Sequence, residues 1–268
     1  MSQPADTSFK AQKPEYKLGI ALSGGGARGI AHAGALAAVE EAGLKPDVIA
    51  GVSAGSVAAV LYSAGIRPHR IMELFADRGM FDFVELRPWK GGLFNTDGFR
   101  KFLKESTAPY SRIEQLPIPV HIGVTDFDHA EERSFSSGEL VDVVMASCSI
   151  PIVFRPVTID GVRYVDGGVL RNHPAWIIRP LCETLIGINV SPIKTHTDAD
   201  SFFGIAMRTY NLMAKANQKA DMEMCDISVE TPEIASCKTF DLSAADKLYL
   251  SGYIHTRKAL RDAGLWKK

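Results

Sequence analysis

The chain lacks the features by which several classes of protein are recognised first. Its 30 Lys and Arg residues almost balance its 31 Asp and Glu residues, so the formal net charge is −1. Nucleic-acid-binding domains usually carry a strong basic excess, and we therefore expect no nucleic-acid partner. No stretch of eighteen apolar residues occurs, and the polar start of the chain has no apolar signal core. These absences predict a cytoplasmic protein without a secretory signal or a spanning helix, which touches a membrane peripherally at most.

Cysteine is scarce, and its spacing excludes the common metal-binding motifs. The four cysteines, Cys148, Cys182, Cys225 and Cys237, form no CxxC pair, and no histidine pair stands at zinc-finger spacing. Scattered thiols are typical of proteins from a reducing compartment. The sequence therefore predicts no structural zinc, and nothing in it calls for another cofactor.

The first half of the chain alternates apolar runs with alanine-rich segments. Residues 16–22 read as a buried strand, residues 30–43 as a helix, residues 46–52 as a second strand and residues 56–65 as a second helix. This order is typical of an α/β fold with a largely parallel central sheet. Without repeats or long linkers, we expect a flexible N-terminal arm over 1–16 and one domain over 17–268. A homo-oligomer is compatible with the sequence.

The remaining elements are predicted from shorter patterns. Residues 80–99 mix aromatic residues, glycine and proline and suggest a loop-rich flap. Asp160-Gly161 is typical of a hairpin turn, here within 157–168. Further helices are expected at 68–78, 137–149, 201–224 and 243–263, and further strands at 117–127, 184–190 and 226–232.

The stretch GVSAG, residues 51–55, is the strongest chemical signal. GxSxG between a strand and a helix forms a sharp turn that exposes the serine hydroxyl at the carboxyl edge of a sheet. The glycines permit close backbone contacts, and the following helix directs its positive end towards the serine. Ser53 is therefore predicted to be a nucleophile.

The glycine-rich stretch GGGARG, residues 24–29, has two interpretations. It matches the GxGxxG of dinucleotide-binding folds, but that motif needs an acidic residue at the end of the second strand, where GVSAG stands instead. The alternative is an oxyanion hole, with backbone N–H groups near Gly25, Gly26 and Ala27 facing Ser53. Arg28 either adds positive charge there or ties the loop to a carboxylate.

A serine nucleophile needs a group that accepts its proton. His173 and His255 would fit the order Ser…Asp…His, but the elbow of that fold normally follows several strands, whereas Ser53 ends the second. Asp166 is the better candidate, because VDGG at 165–168 ends an apolar run with an acid and two glycines.

Taken together, these blocks resemble the patatin-like phospholipases over about residues 17–262. The resemblance is carried by GGGARG at 24–29, GVSAG at 51–55, ASCSIPIVF at 146–154, DGG at 166–168 followed by NHP, and the closing stretch at 246–260. It implies a three-layer α/β/α sandwich and a Ser–Asp dyad with Ser53 as nucleophile and Asp166 as proton acceptor. It also implies an oxyanion hole formed by the Gly24–Arg28 loop.

The resemblance further implies a lipid substrate, such as a phospholipid or lysophospholipid, and transient membrane contact. Aromatic residues of the flap, including Trp89 and Phe94, suit either a membrane boundary or a small local core. The stripe Phe203, Met207, Tyr210 and Met213 suits a helix face packed on the core, and the alternatives are a substrate channel, a membrane face or a dimer seam. The alternatives are a non-lipid esterase or thioesterase with the same dyad, a non-catalytic dinucleotide-binding module, and a silent lipid-binding scaffold.

Overall fold

The structure is a computed structural model that describes residues 14–77, 85–86, 94–192, 200–237 and 244–266. The first half contains β1 (Tyr16–Leu22), α1 (Ile30–Glu41), β2 (Val48–Val52), α2 (Ala54–Ser63), α3 (Pro68–Asp77), β3 (Glu85–Leu86), β4 (Phe94–Asn95), α4 (Asp97–Ser106), β5 (Val120–Asp126), β6 (Glu131–Phe135) and α5 (Leu140–Ser147). The second half contains β7 (Val157–Ile159), β8 (Val162–Asp166), α6 (Ala175–Ile178), β9 (Cys182–Asn189), α7 (Phe202–Lys215), α8 (Gln218–Glu223), β10 (Ile227–Glu230) and α9 (Ala245–Asp262).

The main sheet is mixed, with the order β10-β9-β1-β2-β5-β8-β7 and β6 also paired to β5. Every strand pair from β10 to β5 is parallel, whereas the pairs β5–β6, β5–β8 and β8–β7 are antiparallel. The predicted parallel sheet is thus confirmed for the part that carries the GxSxG turn. The hairpins β5–β6 and β7–β8 supply the antiparallel part, and the sequence did not show that β8 pairs with β5.

Helices cover both faces of this sheet. Along β1, Ile20 and Leu22 join the larger core cluster, which also holds buried residues of α1, α2 and α9. Ala21, between them, joins a second cluster that includes Ala175 and Ile178 of α6. Successive residues of a strand point to opposite faces, so both faces of β1 are buried. The predicted three-layer α/β/α arrangement is confirmed.

Two predicted helices differ from the structure, and one strand of the structure was not predicted. The helix expected over 201–224 is two helices, α7 and α8, and the side chain of Asn217 at the break donates to the Leu170 carbonyl at 3.1 Å. The helix expected from 137 begins at Leu140, because Gly138 has a φ of 118° and Glu139 is extended. β6 was not predicted because its sequence, EERSF, is charged and largely exposed.

Part of the sequence predictions falls outside the described residues. This applies to residues 1–13 of the arm and to most of the flap, including Trp89. Residue 16, the last of the predicted arm, is the first residue of β1. None of the helices that the structure describes is long and apolar enough to cross a membrane.

Candidate active site

Ser53 is the single residue between the end of β2 and the start of α2, and its backbone is strained. Its φ of 52° and ψ of −123° lie in a region that residues with a side chain rarely adopt. The flanking glycines explain how the chain can turn there. A Cβ on Gly51 would lie 2.5 Å from the Gly55 carbonyl oxygen, and one on Gly55 would lie 2.2 Å from that of Leu22. Only glycine permits these backbone contacts.

Hydrogen bonds hold the backbone of Ser53 on both sides. Its N–H donates to the Ser147 hydroxyl at 2.8 Å, and that hydroxyl donates to the Gly123 carbonyl at 2.7 Å. The Ser53 carbonyl accepts from the Ser56 hydroxyl at 2.7 Å. The nucleophile candidate is therefore anchored to β5 through α5 and to the first turn of α2.

The sheet register brings Asp166 to the same level as Ser53. Val52 is paired with Gly123 of β5, and the next residue of β5, Val124, is paired with Asp166 at the end of β8. Neighbouring strands lie about 4.8 Å apart, so Ser53 and Asp166 flank β5 on opposite sides. β8 runs antiparallel, and its carboxyl end reaches Ser53 because β8 pairs only with the last residues of β5.

The Asp166 carboxylate is fully buried. Its Oδ1 accepts from the Gly168 N–H at 2.8 Å, whereas Oδ2 has no partner at hydrogen-bond distance among the residues that the structure describes. Burial raises the pKa of Asp166 from 3.8 to about 6, and the nearby Ser53 hydroxyl, the Gly168 amide and the Tyr210 hydroxyl limit that rise. Asp166 is thus still mostly charged at neutral pH, but its charge is poorly compensated, as expected for a proton acceptor beside a serine.

The glycine loop lies against Ser53. A Cβ on Gly24 would lie 3.3 Å from the Ser53 Cβ, and Gly26 has a φ of 59° that favours glycine. The Gly24 N–H donates to the Asn172 carbonyl at 3.1 Å. Gly24 therefore allows the loop to lie close to Ser53, but its N–H is not free to bind an oxyanion. Within the described chain, nothing accepts a hydrogen bond from the amides of Gly25, Gly26 or Ala27.

The Arg28 guanidinium is buried beneath this loop. Its Nη1 donates to the Pro192 carbonyl at 2.8 Å and its Nε to the Gly25 carbonyl at 3.3 Å. Among the described residues, no carboxylate lies at ion-pair distance from it. Burial lowers the pKa of Arg28 to about 10, so the side chain remains charged. The described contacts of Arg28 tie the glycine loop to backbone carbonyls and include no carboxylate, and its supply of positive charge to an oxyanion stays a prediction.

The structure brings two further side chains to the site that sequence reasoning missed. Tyr210 of α7 places its hydroxyl beside Asp166 and Gly168, although its spacing favoured core packing over a substrate channel. The Cys148 thiol lies beside the hydroxyls of Ser53 and Ser56, and burial followed by the Asp166 charge raises the pKa of that thiol. Cys148 lies within the quoted ASCSIPIVF block, which was the available signal. For Tyr210 the available signal was the helical stripe, for which a substrate channel was one alternative.

The histidines weighed as triad members have other surroundings. His173 is fully buried, and neither of its ring nitrogens has a hydrogen-bond partner within the described chain. Burial, with a smaller effect of His32, lowers the pKa of His173 to about 3. His255 of α9 bonds to Glu233 at 2.9 Å. No contact in the described part of the chain joins either imidazole to Ser53 or Asp166.

The chain is similar in sequence to known proteins. The chain is 25% identical over 257 residues to the lysophospholipase NTE1 of Eremothecium gossypii, covering 91% of this chain and 16% of that protein. It is 27% identical over 275 residues to the patatin-like phospholipase domain-containing protein 6 of Mus musculus, covering 88% of this chain and 20% of that protein. It therefore spans about a fifth of the length of these relatives.

A solved structure shows the same fold. VipD from Legionella pneumophila superposes with a TM-score of 0.53 at 15% identity, covering 93% of this chain and 67% of that one. The family model described as patatin-like phospholipase matches residues 20–178, which contain Ser53, Asp166 and the glycine loop. The chain belongs to the patatin-like phospholipase family.

Proposed function

We propose that the protein is a lipid acyl hydrolase of the phospholipase A or lysophospholipase type, acting through Ser53 and Asp166. The observation that carries the proposal is the position of a buried, poorly compensated carboxylate directly across β5 from a strained serine, beside three amides that face no described acceptor. The names of the relatives support a lipid ester as the substrate class.

The reaction proceeds by acyl transfer. Asp166 accepts the Ser53 proton as the Ser53 oxygen bonds to the ester carbonyl carbon, and the amides of Gly25, Gly26 and Ala27 stabilise the oxyanion. The oxyanion collapses, the alcohol leaves with the proton from Asp166, and an acyl-enzyme remains. Water then attacks the acyl carbon and gives its proton to Asp166. Ser53 leaves the carbon and regains that proton.

Labelling with a fluorophosphonate tests the nucleophile. We expect the wild-type protein to be labelled at Ser53, Ser53→Ala to be unlabelled, and the exposed Ser137→Ala control to react like the wild type. Turnover of Ser53→Ala above background would contradict the proposal. Faster hydrolysis of soluble short-chain esters or thioesters than of micellar phospholipid would favour the non-lipid alternative. Absent labelling with nucleotide-dependent thermal stabilisation would favour the dinucleotide-binding module.

The outer face of α7 supports transient contact with a lipid surface. Four of its large apolar residues are strongly exposed, namely Phe202, Ile205, Leu212 and Met213. At helical spacing they form one continuous stripe on the helix that also carries Tyr210. Because α7 contacts the turn after Asp166, this stripe lies close to the site where a lipid ester must enter.

Liposome flotation tests this face with a matched pair of variants. Ile205 and Leu212 are 54% and 50% exposed, and Leu250 and Ile254 of α9 are also 54% and 50% exposed. We expect the double variant Ile205→Asn, Leu212→Asn to float less with phosphatidylcholine–phosphatidylglycerol vesicles than the wild type. The double variant Leu250→Asn, Ile254→Asn should float normally. Equal behaviour of the two variants would remove α7 as the contact surface.

A further inference from the structure

The Tyr210 hydroxyl occupies a position that the family motifs do not account for. A Cβ added to Gly168 would lie 2.4 Å from the Tyr210 hydroxyl and 3.1 Å from Asp166 Oδ1. The tyrosine and the carboxylate therefore meet over the same glycine. Gly168 leaves the space in which the phenol approaches, and its N–H already occupies Oδ1.

Asp166 Oδ2 belongs to the carboxylate that this phenol meets, and it is the oxygen that the Gly168 amide leaves open. Oδ2 is buried and lacks a hydrogen-bond partner in the described structure, and a carboxylate oxygen can accept two hydrogen bonds. The Ser53 hydroxyl needs one of these places to transfer its proton. The Tyr210 hydroxyl can take the other without displacing Ser53.

The phenol can act only as a donor in this position. Burial, and then the Asp166 charge, raise the pKa of Tyr210 well above its ordinary value, so its proton stays on the phenol throughout the neutral range. A protonated phenol beside a carboxylate stabilises the charged form of the carboxylate. A neutral Asp166 could not serve as the acceptor for the Ser53 proton.

We propose that Tyr210 is a positioning residue that donates a hydrogen bond to Asp166 Oδ2, orients this carboxylate towards Ser53 and keeps it ionised. The proposal rests on the function proposed for Ser53 and Asp166. Tyr210 acts through Asp166. Because Tyr210 lies on α7, the same helix carries the exposed apolar stripe and a side chain that contacts the proton acceptor.

Among the hydrogen-bond donors around Asp166, Tyr210 is the one that a substitution can remove without changing the nucleophile or the backbone. The Ser53 hydroxyl faces Asp166 from the turn after β2, the Cys148 thiol from the end of α5 and the Gly168 amide from the turn after β8. The positive charge of Arg28, in the glycine loop, acts on the phenol and lowers its pKa slightly against the larger rise from burial and Asp166. The Ser53 hydroxyl transfers its proton during the reaction, and the Gly168 amide is part of the backbone. Tyr210→Phe therefore removes one hydrogen-bond donor and leaves these groups in place.

The test is the pH dependence of fluorophosphonate labelling. This reaction reports the first chemical step and does not require a lipid–water interface. Wild-type labelling should fall below about pH 6, where Asp166 becomes protonated. In Tyr210→Phe the midpoint should rise by about one pH unit, because a lost hydrogen bond to a charged group is equivalent to at least that. At pH 6 this lowers the labelling rate about fivefold. The rate at pH 9 should recover to near the wild-type value.

A matched control is Tyr253→Phe, which removes a phenol on α9 that bonds to Glu41. Its labelling midpoint should stay in place. A second test inserts 3,5-difluorotyrosine at position 210, which keeps the shape of the ring, donates more strongly and should lower the midpoint. The protein with 3,5-difluorotyrosine also tests the proposal if Tyr210→Phe does not fold.

The outcomes separate the two proposals. If the wild-type protein is not labelled at all, the function proposed for Ser53 fails. If the wild type is labelled but its midpoint is the same after both changes at position 210, only the role of Tyr210 is wrong. A uniform loss of rate at every pH would show a structural role and would also overturn it.

Discussion

Replacing Asp166 with asparagine should inactivate the protein and at the same time stabilise it. The carboxyl is fully buried, and its pKa rises from 3.8 to about 6 on folding. Folding therefore favours the neutral form, so the contribution of this group to stability is complete below about pH 4 and is lost as the pH rises through about 6. Since one pKa unit corresponds to about 1.4 kcal/mol, the loss at pH 8 is about 3 kcal/mol.

The asparagine side chain of this variant would keep most of the native contacts without the buried charge. Its carbonyl oxygen can accept from the Gly168 N–H as the aspartate Oδ1 does, and its amide can donate to the hydroxyls of Ser53 and Tyr210. We expect Asp166→Asn to unfold at higher urea concentration than the wild type at pH 8, with a difference of about 3 kcal/mol in the free energy of unfolding. The difference should shrink to near zero at pH 4, and labelling should be absent throughout.

The comparison needs a control carboxyl whose pKa shifts in the opposite direction, and the half-exposed Asp226 is one. Burial alone would raise the pKa of Asp226, but hydrogen bonds from Arg179 and from the Leu185 N–H lower it overall. Asp226→Asn should therefore destabilise the protein from neutral pH down to about pH 4, and this cost should fade only as the pH falls further. A difference between Asp166→Asn and wild type that is constant from pH 4 to 8 would refute the reasoning, because a pH-independent gain cannot come from the Asp166 charge.

Two further substitutions test the packing around the site. Ser147→Ala leaves the Ser53 N–H and the Gly123 carbonyl without their shared partner, so we expect a loss of about 2 kcal/mol in urea unfolding. Labelling should slow at every pH, and an unchanged rate would show that the elbow holds without this anchor. Gly252→Ala puts a Cβ 1.8 Å from the Ala31 carbonyl oxygen, where α9 crosses α1. The separation of these helices should lower the free energy of unfolding by about 3 kcal/mol. An unchanged urea midpoint would contradict the close contact between α9 and α1.

Much of the fold was predictable because its signals are local. The apolar run of β1, the alanine-rich α1 and the strand-turn-helix around Ser53 each depend on neighbours in sequence, and each was found where predicted. The hairpin was also readable, since Asp160 and Gly161 both adopt the positive φ that its turn requires. By contrast, β6 stayed hidden because a charged edge strand has no apolar alternation to detect.

By itself, the sequence determined the family, the α/β order and the residues on which catalysis is proposed to depend, because these are carried by short motifs with strict backbone demands. Tertiary structure alone decided that Ser53 and Asp166 share one level of the sheet, since this follows from the pairing of β5 with both β2 and β8. It also decided that Tyr210 faces Asp166. Helical spacing tells which side of α7 is inward, but only the packed chain shows which group that side meets.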